Sequence, residues 1–176
     1  MELTPSQTIG PFFRVCWAED SARLADSQVA GEKIQLRCRV LDGEGTPVSD
    51  AMIEIWQADS TGAYNRPGFR GFGRACTNQD GACTFETIKP GRVAGEGGVL
   101  QAPHVSVNLF ARGLLKQLVT RIYFAGEPAN QEDTVLTLAP EGRRDTLLAH
   151  PCSGDPGVWD FEIRLASESE TVFFDV

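Results

Sequence analysis

Apolar and polar residues alternate over several short stretches of the chain. In KIQLRCRV (33–40), Ile34, Leu36, Cys38 and Val40 fall on one side and polar residues on the other. A two-residue period of that kind predicts a strand with one buried face. AMIEIWQAD (51–59) gives a second strand, with Met52, Glu54 and Trp56 on one face and Ile53 and Ile55 on the other. GRACT and CTFETI flank NQDG and are expected to pair as a hairpin. HVSVNLF (104–110) and QLVTRIYF (117–124) read as two longer strands, parted by ARGLLK, and VWDFEIRLA and ETVFFDV close the chain. DGEGTPVSD (42–50) has the composition of a loop. Only residues 128–149 carry a helical reading.

Short strands at regular spacing, with eighteen glycines and ten prolines between them, predict an all-β fold. The expected architecture is an antiparallel β-sandwich of about seven to eight strands, with Greek-key connections and little helix. Two segments fit it poorly. Residues 1–30 begin polar and then bring Phe12, Phe13, Val15 and Trp17 close together, which predicts an extended N-terminal arm that docks on its own domain or on a partner. The sandwich domain itself is expected over residues 31–176. The second segment, GRVAGEGGVLQAPH (91–104), has four glycines after Arg92-Val93-Ala94 or beside it and little bulk, which suits a flexible loop or close approach to a ligand.

A length of 176 residues suits one domain with a real core. Sixteen basic and twenty-four acidic residues leave a net charge of −8, and no basic stripe occurs, which disfavours a nucleic-acid partner. An anionic small substrate would need a local cation. No apolar run of membrane-spanning length is present, and MELTPSQTIG lacks the pattern of a secretory signal, so a cytoplasmic chain is expected. The five cysteines (16, 38, 76, 83 and 152) form no C-x-x-C, and free thiols are the expectation. Cys76 and Cys83 could face each other across the hairpin.

Candidate chemistry is sparse. The chain has two histidines, His104 and His150, and two tyrosines, Tyr64 and Tyr123. No nucleophile elbow, phosphate loop or dinucleotide fingerprint occurs. A lone strand histidine ordinarily holds a structural hydrogen bond, and Tyr64 in STGAYNRPGF ordinarily is a loop tyrosine. Arg112, at the end of the His104 strand, is ordinarily a solvated charge, though arginine also grips carboxylates well.

TPSQTIGPFF (4–13), IEIWQAD (53–59), DGACTFETIKPG, APHVSVNLFARG (102–113), TRIYF (120–124) and ETVFFDV (170–176) together resemble the intradiol ring-cleavage dioxygenases, in order and over nearly the whole chain. The resemblance implies a family that opens a catechol ring between its hydroxyl carbons with both atoms of O₂. It implies Fe(III) held by two tyrosinates and two neutral histidines, donors that suit a hard ferric ion. Against that set, Tyr64 is present. The second tyrosine is expected just after KPG, where Arg92, Val93 and Ala94 stand. The histidine pair is cut to His104-Val105-Ser106, and Gln101 stands where catalytic members carry an arginine. No further tyrosine or histidine is expected nearby, and His150 is remote in sequence.

By resemblance this is an iron-free alpha subunit of a heteromeric member, with Fe(III) bound by the partner beta subunit and Tyr64 and His104 as vestigial ligand positions. The implied substrate is protocatechuate, a catechol bearing a carboxylate. Thr8, Gly10 and Pro11 of the arm would help wall the partner's pocket, and Arg112 would face the carboxylate. The chain is short between the arm and the first strand, and between Tyr64 and FGRACT, which bears on assembly and not on the arm or Arg112. Two other readings stay open: an interaction module without catalytic role, and a self-sufficient enzyme using Tyr64, His104 and further ligands.

Overall fold

The computed structural model describes residues 3–10 and 19–175 of the chain. Pro11, Phe12, Phe13, Val15, Cys16 and Trp17 lie outside the described residues. Strand β1 (Lys33–Leu41) forms where the alternation is cleanest: Ile34, Leu36, Cys38 and Val40 are all buried, and Lys33, Gln35 and Arg39 are exposed. The same rule builds β2 (Met52–Gln57), whose Ile53 and Ile55 face the core, and β4 (Ala82–Ile88), centred on Phe85. β3 (Phe72–Cys76), β7 (His104–Phe110) and β8 (Leu118–Phe124) follow, with β9 (Leu148–Pro151) and β10 (Val158–Arg164) near the C-terminus. Two-residue strands β5 (Val93–Ala94) and β6 (Leu100–Gln101) pair with each other alone.

The eight longer strands run in the order β3-β2-β7-β8-β9-β10-β1-β4. They fold as two layers, β3-β2-β7-β8 and β9-β10-β1-β4, joined where β9 pairs with β8 through Tyr123↔Leu148 and Phe124↔Ala149. Most neighbours are antiparallel; β1 with β10 and β8 with β9 run parallel. Leu36, Phe85, Phe161 and Ile163 of one layer and Ile53, Ile55, Val107, Leu109 and Ile122 of the other meet in one apolar core. This is the expected β-sandwich. Removing a large side chain such as Phe85, which is fully buried, would cost about 3–5 kcal/mol.

Two expectations about pairing are corrected. GRACT and CTFETI do not pair: β3 pairs with β2, and β4 with β1. The turn between them is as expected, with the Asn78 carboxamide accepting from the Asp80 and Ala82 amides and Gly81 at φ +70°. Turn chemistry fixes the reversal, but each strand then follows its own layer. Thr77 commits β3 to β2: its amide donates to the Ala51 carbonyl and its hydroxyl to the Val48 carbonyl. Cys83 therefore stands opposite Cys38, and Cys76 opposite Met52.

ETVFFDV does not form a strand either. Its backbone bonds scatter over three elements. The Thr171 amide donates to Arg164, the Val172 amide to the Thr146 hydroxyl and the Phe174 amide to Val119. Partners on different elements cannot make a continuous ladder, so the segment straps the layers with one isolated bridge at Phe174.

Residues 128–149, the helical reading, carry three 3₁₀ helices: Pro128–Glu132, Leu136–Leu138 and Glu141–Leu147. They cover the outer face of the first layer, where Tyr123, Ala102, Leu136, Ala139 and Leu147 make a second apolar cluster. Ahead of β1, Leu24 is buried in the main core and its amide donates to Glu86, so residues 22–25 lie on the sandwich itself.

Candidate functional site

Side chains alternate between the faces of a strand, so Trp56, His104, Ser106, Arg121 and Tyr123 share the outer face of the first layer. Register brings them together: Trp56↔Ser106, Ser106↔Arg121 and His104↔Tyr123 are directly opposite. Val105, Ile122 and Phe124, the alternate positions, face the core.

His104 is buried, with Nδ1 2.8 Å from the Ala102 carbonyl oxygen. A carbonyl only accepts, so the proton is assigned to Nδ1 and Nε2 keeps its lone pair. Burial lowers the imidazole pKa, and the positive charge of Arg121 lowers it further. The ring is neutral at pH 7. Its centroid is 5.8 Å from that of Tyr123. The Tyr123 hydroxyl donates to Asp133 Oδ1 at 3.0 Å, and burial drives the phenol pKa well above its ordinary value. Asp133 is fully buried and also accepts from the amides of Ala102, Val135 and Leu136 at 2.7, 2.9 and 2.7 Å. Arg121 donates to the Gln101 side-chain oxygen at 3.1 Å.

Tyr64 lies in the loop after β2, its ring stacked on Trp56 with centroids 5.9 Å apart and planes 7° apart. It is half-buried, and burial raises its pKa against the opposing charge of Arg121. Arg92 reaches the Leu100 carbonyl at 2.9 Å and so pins β6 to the segment that follows KPG, while Val93 beside it is buried.

A second group of predicted residues gathers at the other end of β7. The Thr8 hydroxyl accepts from the Gly113 amide at 2.7 Å, one residue past Arg112. Arg112 pairs with Asp50, and its side chain is 62% exposed. Between the arm and the β7–β8 connection runs a groove of about 210 Å³, lined among others by Gln7, Ile9, Phe110, Leu114 and Leu115. Gly10 is exposed, with open space where a side chain would stand. Thr8 and Arg112 are thus brought together, whereas Tyr64 and His104 belong to the other group. His150 joins neither: it stands on β9, 3.6 Å from Asp145.

Residues 10–164 match a dioxygenase family profile. The chain is 43% identical to the protocatechuate 3,4-dioxygenase alpha chain of Pseudomonas putida over 192 aligned residues, covering 98% of this chain and 96% of that one. To the beta chain from Burkholderia cepacia it is 34% identical, over 68% of this chain and 56% of the other. The fold superimposes on the dioxygenase domain of a carbohydrate-binding fusion protein from Streptomyces sp. SirexAA-E with a TM-score of 0.68, at 30% identity, covering 97% and 100% of the two chains. The chain belongs to the intradiol ring-cleavage dioxygenases.

Measured against the ligand set of the intradiol family, this outer face does not fit a ferric ion. His104 offers one neutral imidazole, Ser106 supplies a hydroxyl where an imidazole is needed, and Val93 is apolar. Tyr64 is one of the two tyrosines that set requires, and the Tyr123 hydroxyl is already engaged, donating to Asp133. Tyr123 also corrects the expectation that no further tyrosine lies nearby: it stands directly across from His104. Sequence reasoning missed Arg121, Tyr123 and Asp133. The R-x-Y spacing in TRIYF put the first two on one face, but only the register with β7 shows which face.

Proposed function

We propose that this chain is the iron-free alpha subunit of a protocatechuate 3,4-dioxygenase, working in the cytoplasm with a catalytic beta subunit that binds Fe(III). In that assembly the beta subunit converts protocatechuate and O₂ to 3-carboxy-cis,cis-muconate, and this chain completes the substrate pocket. The observation that carries the reading is the junction of arm and strand end. Thr8 is tied to Gly113, so the arm and Arg112 approach the partner as one surface. Near-full-length similarity to an alpha chain supports it, as does a donor set unsuited to iron.

Each residue has a physical role in this reading. Arg112 supplies the local cation that a −8 chain needs for an anionic substrate, since distant charge is screened beyond about 8 Å. A charge-assisted contact to the carboxylate contributes about 1.5–3 kcal/mol. Thr8 sets the arm's position. Gly10 leaves its backbone open to close approach, and Pro11 is the third arm residue of the proposed pocket wall. Iron at the beta subunit supplies the oxidative chemistry; this chain orients the substrate and excludes water.

The test is Arg112→Ala in the purified alpha–beta complex. KM for protocatechuate should rise at least tenfold while KM for catechol, which lacks the carboxylate, changes less than twofold. Equal effects on both substrates would remove Arg112 from carboxylate recognition. Failure of this chain to form an active complex with any beta partner would favour an interaction module instead.

A further inference from the structure

The outer face of the first layer holds a charge that the family's metal chemistry does not explain. Arg121 projects from β8 directly opposite Ser106, the position where the second histidine of the ligand pair is missing. One of its guanidinium nitrogens lies 3.1 Å from the Gln101 side-chain oxygen and 3.5 Å from the Tyr123 hydroxyl. Among the described residues, no carboxylate forms an ion pair with it. The nearest compensation comes through Tyr123, whose hydroxyl donates to the buried Asp133. The charge also reaches both vestigial ligand positions, Tyr64 and His104. Gln101, for its part, replaces the arginine that catalytic members carry just before the histidine pair. The cation of this face thus stands on β8, directly across from Ser106.

We infer that the Arg121 guanidinium stands in for the metal cation in this chain, linking Gln101, Tyr123 and Asp133 and closing the vestigial centre to metal ions. The chemistry favours arginine for this task. A guanidinium stays protonated at any physiological pH, so it cannot give way to a metal by losing its proton, as a buried lysine can. Its guanidinium donates to the Gln101 side-chain oxygen and toward the Tyr123 hydroxyl, so it holds two polar groups of this face that a metal would otherwise have to displace. Position 106 carries a serine and the residue facing it is Arg121, so restoring an imidazole at 106 alone leaves a metal facing a fixed positive charge.

This inference rests on the family's ligand positions and not on the proposed pocket role, so the two fail separately. The test uses the full chain alone, with Co(II) as a visible-absorbing probe. Four proteins are compared: wild type, Ser106→His, Ser106→His with Arg121→Gln, and Ser106→His with Arg121→Lys. The Gln double variant should bind one Co(II) at least 100-fold more tightly than Ser106→His, and the Lys double variant should stay with Ser106→His. Equal Co(II) affinity for Ser106→His and the Gln double variant would overturn the inference, as would a folded Gln double variant that binds no better than wild type. Should the histidine variants fail to fold, single variants decide. Arg121→Gln should lower the melting temperature by roughly 3 °C or more, with Arg121→Lys recovering part of the loss. A melting temperature unchanged in Arg121→Gln would show that the guanidinium links nothing, and would sink the idea.

Discussion

The hydroxyl of Thr8 and the backbone amide of Gly113, 105 residues apart, are hydrogen-bonded at 2.7 Å. The contact is exposed and neutral, so it stabilises the docked arm by about 1 kcal/mol, a factor of about five in the docked population. Thr8→Ala should speed amide hydrogen exchange at Gly113 about fivefold. Thr8→Ser, which keeps the acceptor, should leave it near wild type. Unchanged exchange in Thr8→Ala would mean that other contacts hold the arm.

Arg112 cannot serve Asp50 and a substrate carboxylate equally. Their ion pair has its arginine 62% and its aspartate 30% exposed, and such partly solvated pairs contribute at most about 1 kcal/mol. On the proposed role of Arg112, Asp50 is a mild competitor in the alpha–beta complex. Asp50→Asn should lower KM for protocatechuate by about two- to fivefold and leave KM for catechol unchanged. A rise in KM for protocatechuate would instead give Asp50 a positioning role.

Periodicity carried β1 and β2 from sequence to structure because burial on one face leaves a local trace: Ile34, Leu36, Cys38 and Val40 are all in the core. Strand partners leave no such trace. The NQDG turn was legible, yet β3 and β4 diverge to separate layers, a choice made by Thr77 and by core contacts distant in sequence. The site divides the same way. His104 and Ser106 could be read as half a motif, and Thr8 and Arg112 as candidates through family resemblance. Arg121 and Tyr123 acquire meaning only through the β7–β8 register, and Asp133 only because a 3₁₀ segment folds back over that face.

Buried neutral His104 couples stability to pH. Burial and the Arg121 charge hold its folded pKa below the ordinary 6.5, so between those two values the unfolded chain binds more protons than the folded one. The resulting stability is complete above pH 6.5 and is lost as pH falls toward the folded value. Urea midpoints should fall from about pH 7 to about pH 5, above the range where carboxylates dominate. His104→Asn should flatten that slope whatever it does to absolute stability. An identical slope in the variant would assign the pH dependence to other groups.

Cys38 and Cys83 stand directly opposite on β1 and β4, one at 1% exposure in the core and the other half-buried. The neighbouring Cys83 thiol raises the Cys38 pKa, and burial raises it further. Alkylation needs the thiolate and physical access, and Cys38 is short of both. With iodoacetamide at pH 8, Cys38 should be modified last, and only at the rate of global unfolding, in step with urea. Cys83→Ala removes the facing thiol but leaves Cys38 in the core with Leu36, Phe85 and the facing layer, so its protection should persist. If Cys38 in that variant were to react quickly in the native state, the protection would have come from Cys83 and not from burial in the core.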